Sequence, residues 1–200
     1  MLLMAFTCFS ESSFQSISLH IVVDFPLFRG RCQLFVVFLP NMKHRILFIC
    51  LGNICRSPAA EGIMRHLVEQ AGLAEDFFVD SAGIGNWHVG ELPDRRMRRR
   101  GALRGYDFNS RARQFTPSDF DRFDLICVMD RNNLHDVLRQ QRWREDASKV
   151  GMLTDYLNVY KGTTEIPDPY YGDDADFDWA LDLIEDACAQ LLQRLTSFAP

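Results

Sequence analysis

The chain has few cysteines, no excess of positive charge and no long apolar run near its start. Six cysteines in 200 residues, at 8, 32, 50, 55, 127 and 188, are too sparse for a disulfide scaffold. The expectation is free thiols in a reducing compartment, the cytoplasm. Lysine and arginine total 22 against 27 aspartate and glutamate, a net charge of −5, which argues against nucleic acid as a partner. The fully apolar stretches among residues 1–41 reach no more than six residues, as at 34–39, where ~18 are needed to span a bilayer. No basic region precedes an apolar stretch with a small-residue cleavage site, so a secretory signal has little support. Internal repeats and low-complexity tracts are missing as well. What is present is an ordinary globular composition, 47% hydrophobic and 24% charged, which excludes a mostly disordered or fibrous chain. Two hundred residues suit one domain, or one domain with a tail.

The distribution of charge suggests the tail. Residues 1–41 carry only Glu11, Asp24, Arg29 and Arg31, yet hold seven of the sixteen phenylalanines. Met42-Lys43-His44-Arg45 then reads like a protein start. Residues 1–41 are therefore expected to lie outside the functional fold, as upstream sequence that the native protein does not translate. The alternative is a partner-binding or membrane-surface segment. Residues 42–200 are read as the domain.

From residue 44 strands and helices alternate. Residues 46–50 form an apolar run suited to a strand buried on both faces. Ser57-Pro58 reads as an N-cap with proline at the first helical position. The helix that follows shares a face through Ile63, Met64, Leu67, Val68 and Ala71 and stops at Gly72. Further strands are expected at 77–81, 124–129 and 149–153, with helix-permissive sequence at 94–103, a helix start at 116–119 and a helix after 129. The last helix is the clearest, with Phe177, Ala180, Leu181, Ile184, Ala187, Cys188, Leu191, Leu192 and Leu195 on one face. Such alternation predicts an α/β fold, a parallel sheet with helices on both faces.

The chemistry is concentrated between the first strand and its helix, in Cys50-Leu51-Gly52-Asn53-Ile54-Cys55-Arg56-Ser57-Pro58. Open α/β sheets bind ligands at the carboxyl ends of their strands. Inward-pointing amides and the helix dipole make such a loop an anion cradle. Gly52 and Asn53 tolerate the positive φ that a tight loop needs. Arg56 offers a planar fork for two phosphate oxygens, and the same positive field favours a reactive thiolate at Cys50. A thiolate facing a bound phosphate is set up for phosphoryl transfer. The competing reading of Cys50 is a buried core thiol.

This loop resembles the phosphate-binding loop of the low-molecular-weight protein tyrosine phosphatases. The resemblance continues through Asp80-Ser81-Ala82-Gly83, Leu92-Pro93-Asp94, Ala112-Arg113-Gln114, Val128-Met129-Asp130 and Asp168-Pro169-Tyr170-Tyr171-Gly172, and covers roughly residues 44–198. It implies three layers around a four-stranded parallel sheet of flavodoxin-like order 2-1-3-4, with no metal or organic cofactor. It also implies a tyrosine-phosphorylated protein as substrate and a monomer or weak dimer. Cys50 would be the nucleophile and Arg56 the phosphate ligand. Asp168, stiffened by Pro167 and Pro169, would be the general acid. Ser57 would hydrogen-bond the thiolate, Asn53 would brace the loop against Ser81, and Asp130 would order the loop near Arg56. Leu51, Ile54, Trp87, Tyr170 and Tyr171 would wall the slot, and Ile54 favours phosphotyrosine over the phosphoarginine of enzymes that carry threonine there. Cys55 would capture oxidised Cys50 as a disulfide, the alternative being a small apolar filler. Cys127 and Cys188 read as inert core thiols, and the arginine-rich stretch 95–100 as a solvated helix face or a docking patch for an acidic partner.

Two rivals are weighed. A thioredoxin-coupled arsenate reductase of this fold needs relay cysteines after the second strand, and residues 82–126 contain none. A dead phosphotyrosine-binding module would be expected to lack the nucleophile, arginine or acid, and all three residue types stand in place.

Overall fold

A computed structural model describes residues 44–197. The expected extension, residues 1–41, and the apparent start at Met42 lie outside the described residues. Four strands form one parallel sheet in the order β2-β1-β3-β4, with β1 at His44–Cys50, β2 at Phe77–Gly83, β3 at Leu125–Val128 and β4 at Val150–Met152. Six α-helices pack around it among the described residues: α1 Arg56–Gln70, α2 Arg95–Leu103, α3 Asp119–Arg122, α4 Arg131–Leu138, α5 Arg144–Ser148 and α6 Asp174–Ser197.

Strand β1 shows why the fold has three layers. Its residues alternate between faces, and both faces are covered. Ile46, Phe48 and Cys50 enter a core built with α1 and α6, whereas Leu47 and Ile49 enter a second core with Phe115, Phe120, Phe123 and Val137. All five are almost fully buried. The apolar stripe of α6 supplies most of its side of the first core: Phe177, Ala180, Leu181, Ile184, Ala187, Cys188 and Leu191 are buried, and Leu183 joins them. Burying a large aliphatic side chain is worth ~1.5–3 kcal/mol, so this stripe outweighs the modest helical bias of the segment.

Three readings of the sequence change here. Helix α1 begins at Arg56, with Cys55 in the N-cap position and no side-chain cap. Ser57 is therefore inside the first turn, and its hydroxyl is free for other partners. Pro58 is accommodated because first-turn amides lack intrahelical acceptors. The 94–103 helix begins after an Asp94 cap that accepts from the Arg96 amide. Its arginines divide between two settings: Arg95, Arg98 and Arg99 are exposed, as a solvated face would have them, yet several arginines also reach acids on a neighbouring helix. Arg99 pairs with Asp174, Arg100 with Asp178, and Arg104 with Asp182 and Glu185, all on α6. Like charges along α2 thus meet like charges of opposite sign along α6, and the two helices are laced together.

Arg45 and Asp124 fasten the starts of β1 and β3, with the Arg45 amide, Nε and Nη2 all donating to the Asp124 carboxylate at 3.1, 3.0 and 2.6 Å. The hydrogen bond from Arg45 holds this carboxyl below its ordinary value. A carboxyl whose folded value is depressed adds stability above its unfolded value and loses it as pH falls. The stability difference between wild type and Asp124→Asn is accordingly expected to be steady near neutrality and to fade below about pH 4. Denaturant unfolding across pH checks this.

Candidate functional site

The loop of residues 50–56 leaves the carboxyl end of β1 and turns straight into α1. Asn53 adopts φ 56°, the left-handed region that asparagine tolerates better than most side chains. Its side chain then braces the turn on three sides. Nδ2 donates to Ser57 Oγ at 2.9 Å and to Ser81 Oγ at 2.8 Å, while Oδ1 accepts from the Arg113 amide at 2.9 Å. The carbonyls of Cys50, Leu51 and Ile54 accept from the amides of Ile84, Gly85 and Asp94 at 3.0, 2.9 and 2.7 Å. The loop is thus tied outward through its carbonyls. Gly83, at the end of β2, passes so close that a Cβ there would lie 2.9 Å from the Gly52 carbonyl carbon.

Cys50 Sγ sits 3.0 Å from Ser57 Oγ and is 3% exposed. Arg56 reaches across from the first turn of α1 and is itself buried. Its Nη1 donates to Asp130 Oδ2 at 2.6 Å and to the Ile166 carbonyl at 3.1 Å, and its Nη2 donates to Asp168 Oδ2 at 2.5 Å. Its Nε–H is buried with no hydrogen-bond partner in the protein. Burial alone would pull this guanidinium down, but the charges of Cys50 and Asp168 and the bond to Asp130 outweigh it and hold the group above its ordinary value. Asp130 in turn caps α4 through the Asn133 amide at 2.7 Å. Burial pushes the Cys55 thiol up, with the charge of Cys50 adding to the effect. Cys127 and Cys188 are raised by full burial.

A cleft of about 300 Å³ opens on this loop, lined by Cys50, Leu51, Gly52, Ile54, Cys55, Arg56, Trp87, His88, Asp168, Tyr170 and Tyr171. The structure therefore brings together every residue expected to react, bind phosphate or wall the slot, apart from Asn53 and Ser57, which stand behind the loop. Ser81 and Asp130 also stand behind it, as braces. Trp87 and Tyr171 are rim residues, 68% and 97% exposed.

His88, Glu61 and Asp119 have no site role in the reading of the sequence. His88 lies in the cleft and pairs its Nδ1 with Glu91 Oε2 at 2.8 Å. Glu61, on the buried face of α1, accepts from Ser81 Oγ at 2.5 Å and extends the Asn53 brace inward. Burial raises its carboxyl despite that bond and Arg65. Arg113 bridges Asp80 and the fully buried Asp119, with shortest separations of 2.9 and 3.0 Å. The motifs 80–83 and 112–114 signalled this region without naming its internal partners.

The brace predicts a measurable loss. Asn53→Ala removes three hydrogen bonds and leaves a Cβ residue at positive φ, so stability is expected to fall by ~2–4 kcal/mol. Turnover is expected to fall ~10–100-fold as the loop loses its geometry. Thermal unfolding and kinetics on p-nitrophenyl phosphate measure both.

A family profile described as low molecular weight phosphotyrosine protein phosphatase matches residues 45–198. A Synechocystis sp. protein, provisionally named a low molecular weight protein-tyrosine-phosphatase, is 50% identical over 151 residues, covering 76% of this chain and 96% of that protein. The crystal structure of a protein tyrosine phosphatase from Entamoeba histolytica superposes with a TM-score of 0.74 at 41% identity, covering 77% of this chain and 97% of the other. The crystal structure of a Drosophila arginine phosphatase superposes at 0.68 with 34% identity, over 76% and 98% of the two chains.

Proposed function

The chain belongs to the low molecular weight phosphotyrosine protein phosphatase family, and on that premise we propose that it hydrolyses phosphotyrosine in proteins through a cysteinyl-phosphate on Cys50. The observation that carries this reading is the convergence of Cys50, Arg56 and Asp168 on one cleft from two ends of the chain. Cys50 Sγ attacks phosphorus as the thiolate, and because a thiolate can only accept, the Ser57 hydroxyl 3.0 Å away serves as its donor. The outward-tied carbonyls turn the amide edge of the loop toward the phosphoryl oxygens, and Arg56 adds its Nε–H and its charge. Asp168 gives a proton to the departing phenol oxygen, then takes one from the water that attacks the phosphocysteine. Sulfur–phosphorus bond formation and phosphorus–oxygen cleavage balance in the first step, and hydrolysis restores the thiolate.

Substrate choice rests on the walls. The Drosophila arginine phosphatase shares the fold, so the fold alone does not select the phosphoamino acid. Trp87, Tyr170, Tyr171, Leu51 and Ile54 offer an aromatic and apolar slot above a buried sulfur, which suits a phenyl ring. The functional unit in this reading is residues 42–200, with residues 1–41 outside it. Among the described residues the four cysteines are free and no helix is long and apolar enough to cross a membrane. The free thiols support a reducing, cytoplasmic setting.

Intact-protein mass spectrometry of acid-quenched turnover is expected to find one added phosphoryl group, mapped by fragmentation to Cys50. A phosphoryl group on any other side chain, or none in a competent enzyme quenched within one turnover, would refute the covalent route. Phosphotyrosine and phosphoarginine peptides compared at equal concentration test the wall assignment, with the tyrosine peptide expected to be the better substrate.

A further inference from the structure

The segment that carries Asp168 is neither strand nor helix. It is anchored at Ile166, whose amide donates to the Met129 carbonyl at 2.8 Å and whose carbonyl accepts from Arg56. Beyond that point residues 168–172 are held to the rest of the fold by side-chain ties. Arg56 holds the Asp168 carboxylate itself. Other hydrogen bonds run within the segment, such as that from the Gly172 amide to the Pro169 carbonyl at 2.9 Å. Besides Arg56, the side chain that ties residues 168–172 to another element is Arg96, in the first turn of α2. Its Nη2 donates to the Tyr170 carbonyl at 2.9 Å, and its Nη1 reaches the Gly172 carbonyl at 3.5 Å. Its guanidinium lies 5.6 Å from the Tyr170 ring centre and 4.7 Å from that of Phe177.

On its other side Arg96 is held by Asp94, with Nε and Nη2 at 3.1 and 2.9 Å from the carboxylate. The Asp94 amide donates to the Ile54 carbonyl of the phosphate loop at 2.7 Å. A continuous path therefore runs from the loop through Asp94 and Arg96 to Tyr170. Tyr170 completes it, because its own amide donates to Asp168 Oδ1 at 3.2 Å. One residue separates the Arg96 guanidinium from the carboxyl of Asp168. Burial would raise the Asp94 carboxyl, but Arg96 outweighs burial and keeps it below its ordinary value, so the clamp stays charged.

We propose that Arg96 is a positioning residue, which clamps residues 168–172 to the start of α2 and thereby sets the reach of Asp168 into the cleft. The proposal rests on the reading of Asp168 as general acid. The neighbouring arginines make a useful contrast, because Arg99, Arg100 and Arg104 spend their hydrogen bonds on α6 and none on residues 168–172. Lysine at position 96 would keep the charge but lose the planar fork that serves Asp94 and two carbonyls at once.

The test compares p-nitrophenyl phosphate, whose leaving group departs readily, with phenyl phosphate, whose leaving group needs the proton. Asp168→Ala is expected to lose ~10²–10³-fold in kcat/KM on phenyl phosphate and a smaller factor on p-nitrophenyl phosphate. Arg96→Ala and Arg96→Lys are expected to show the same selectivity, about tenfold more loss on phenyl phosphate. The double variant Arg96→Ala with Asp168→Ala should be no worse than Asp168→Ala, because both changes act through one proton transfer. Arg100→Ala, which breaks a pair with α6, should lower thermal stability and leave the ratio between substrates unchanged. Should Arg96→Ala fail to fold, Arg96→Lys answers the same question. Equal losses on both substrates, an unchanged ratio, or additive losses in the double variant would overturn the clamp while leaving Asp168 in its role. Loss of selectivity from Asp168→Ala itself would bring down the general-acid reading first, and the clamp with it.

Discussion

Cys50→Ser is expected to lower turnover of p-nitrophenyl phosphate by at least ~10⁴-fold while leaving the protein folded. Serine differs from cysteine by one atom and can still meet Ser57 Oγ, which stands 3.0 Å from the sulfur in the native site. The fold therefore has no reason to fail. The chemistry does, because a serine hydroxyl stays protonated and the hydrogen-bond partner at this position is Ser57 Oγ, a hydroxyl and not a base. Cys55 cannot substitute, since burial, the largest cause of its raised thiol, persists in the variant and keeps it neutral. Inorganic phosphate should still raise the thermal midpoint of the variant, which separates lost chemistry from lost binding. Turnover within tenfold of wild type would refute Cys50 as nucleophile.

Arg56→Lys is the second large effect, an expected ~10³-fold fall in kcat/KM with weaker inhibition by inorganic phosphate. Charge is kept, so the change reads geometry. Arg56 uses both terminal nitrogens on Asp130, Ile166 and Asp168, and keeps its buried Nε–H for another acceptor. One ammonium cannot hold those positions together. Arg56→Ala would be a poorer test, since it strands the carboxylates of Asp130 and Asp168 without their cation and confounds activity with stability. A lysine variant with near-native kinetics would show that the site needs a positive charge there and not a fork.

The sheet and the reactive loop were legible for local reasons. Residues 46–50 are apolar on both faces, so they had to be an inner strand, and observed β1 buries both faces. The long stripe of α6 specified its buried side through spacing alone. Cys50 and Arg56 are close in sequence, and a strand-to-helix turn brings such neighbours to one cleft with little help from the rest of the chain. Asp168 was placed by resemblance, since nothing in its own neighbourhood distinguishes it from the other acids nearby except the flanking prolines.

Partner choice among polar groups belongs to the tertiary structure. Composition marks 95–100 as basic and the start of α6 as acidic, yet Arg100 and Asp178 meet only because α2 and α6 are brought side by side. Ser57 has the look of a cap from its position before a proline, but winding of the loop moves the helix start to Arg56 and sends the hydroxyl to sulfur. Glu61 reads as one more polar position on α1 until Ser81 arrives from β2 to share its proton. Periodicity reports which side of an element is apolar, because burial of that side depends on the element's own spacing. Charged and hydroxyl groups carry no such period: each is satisfied by whichever distant group the fold delivers to within hydrogen-bonding distance.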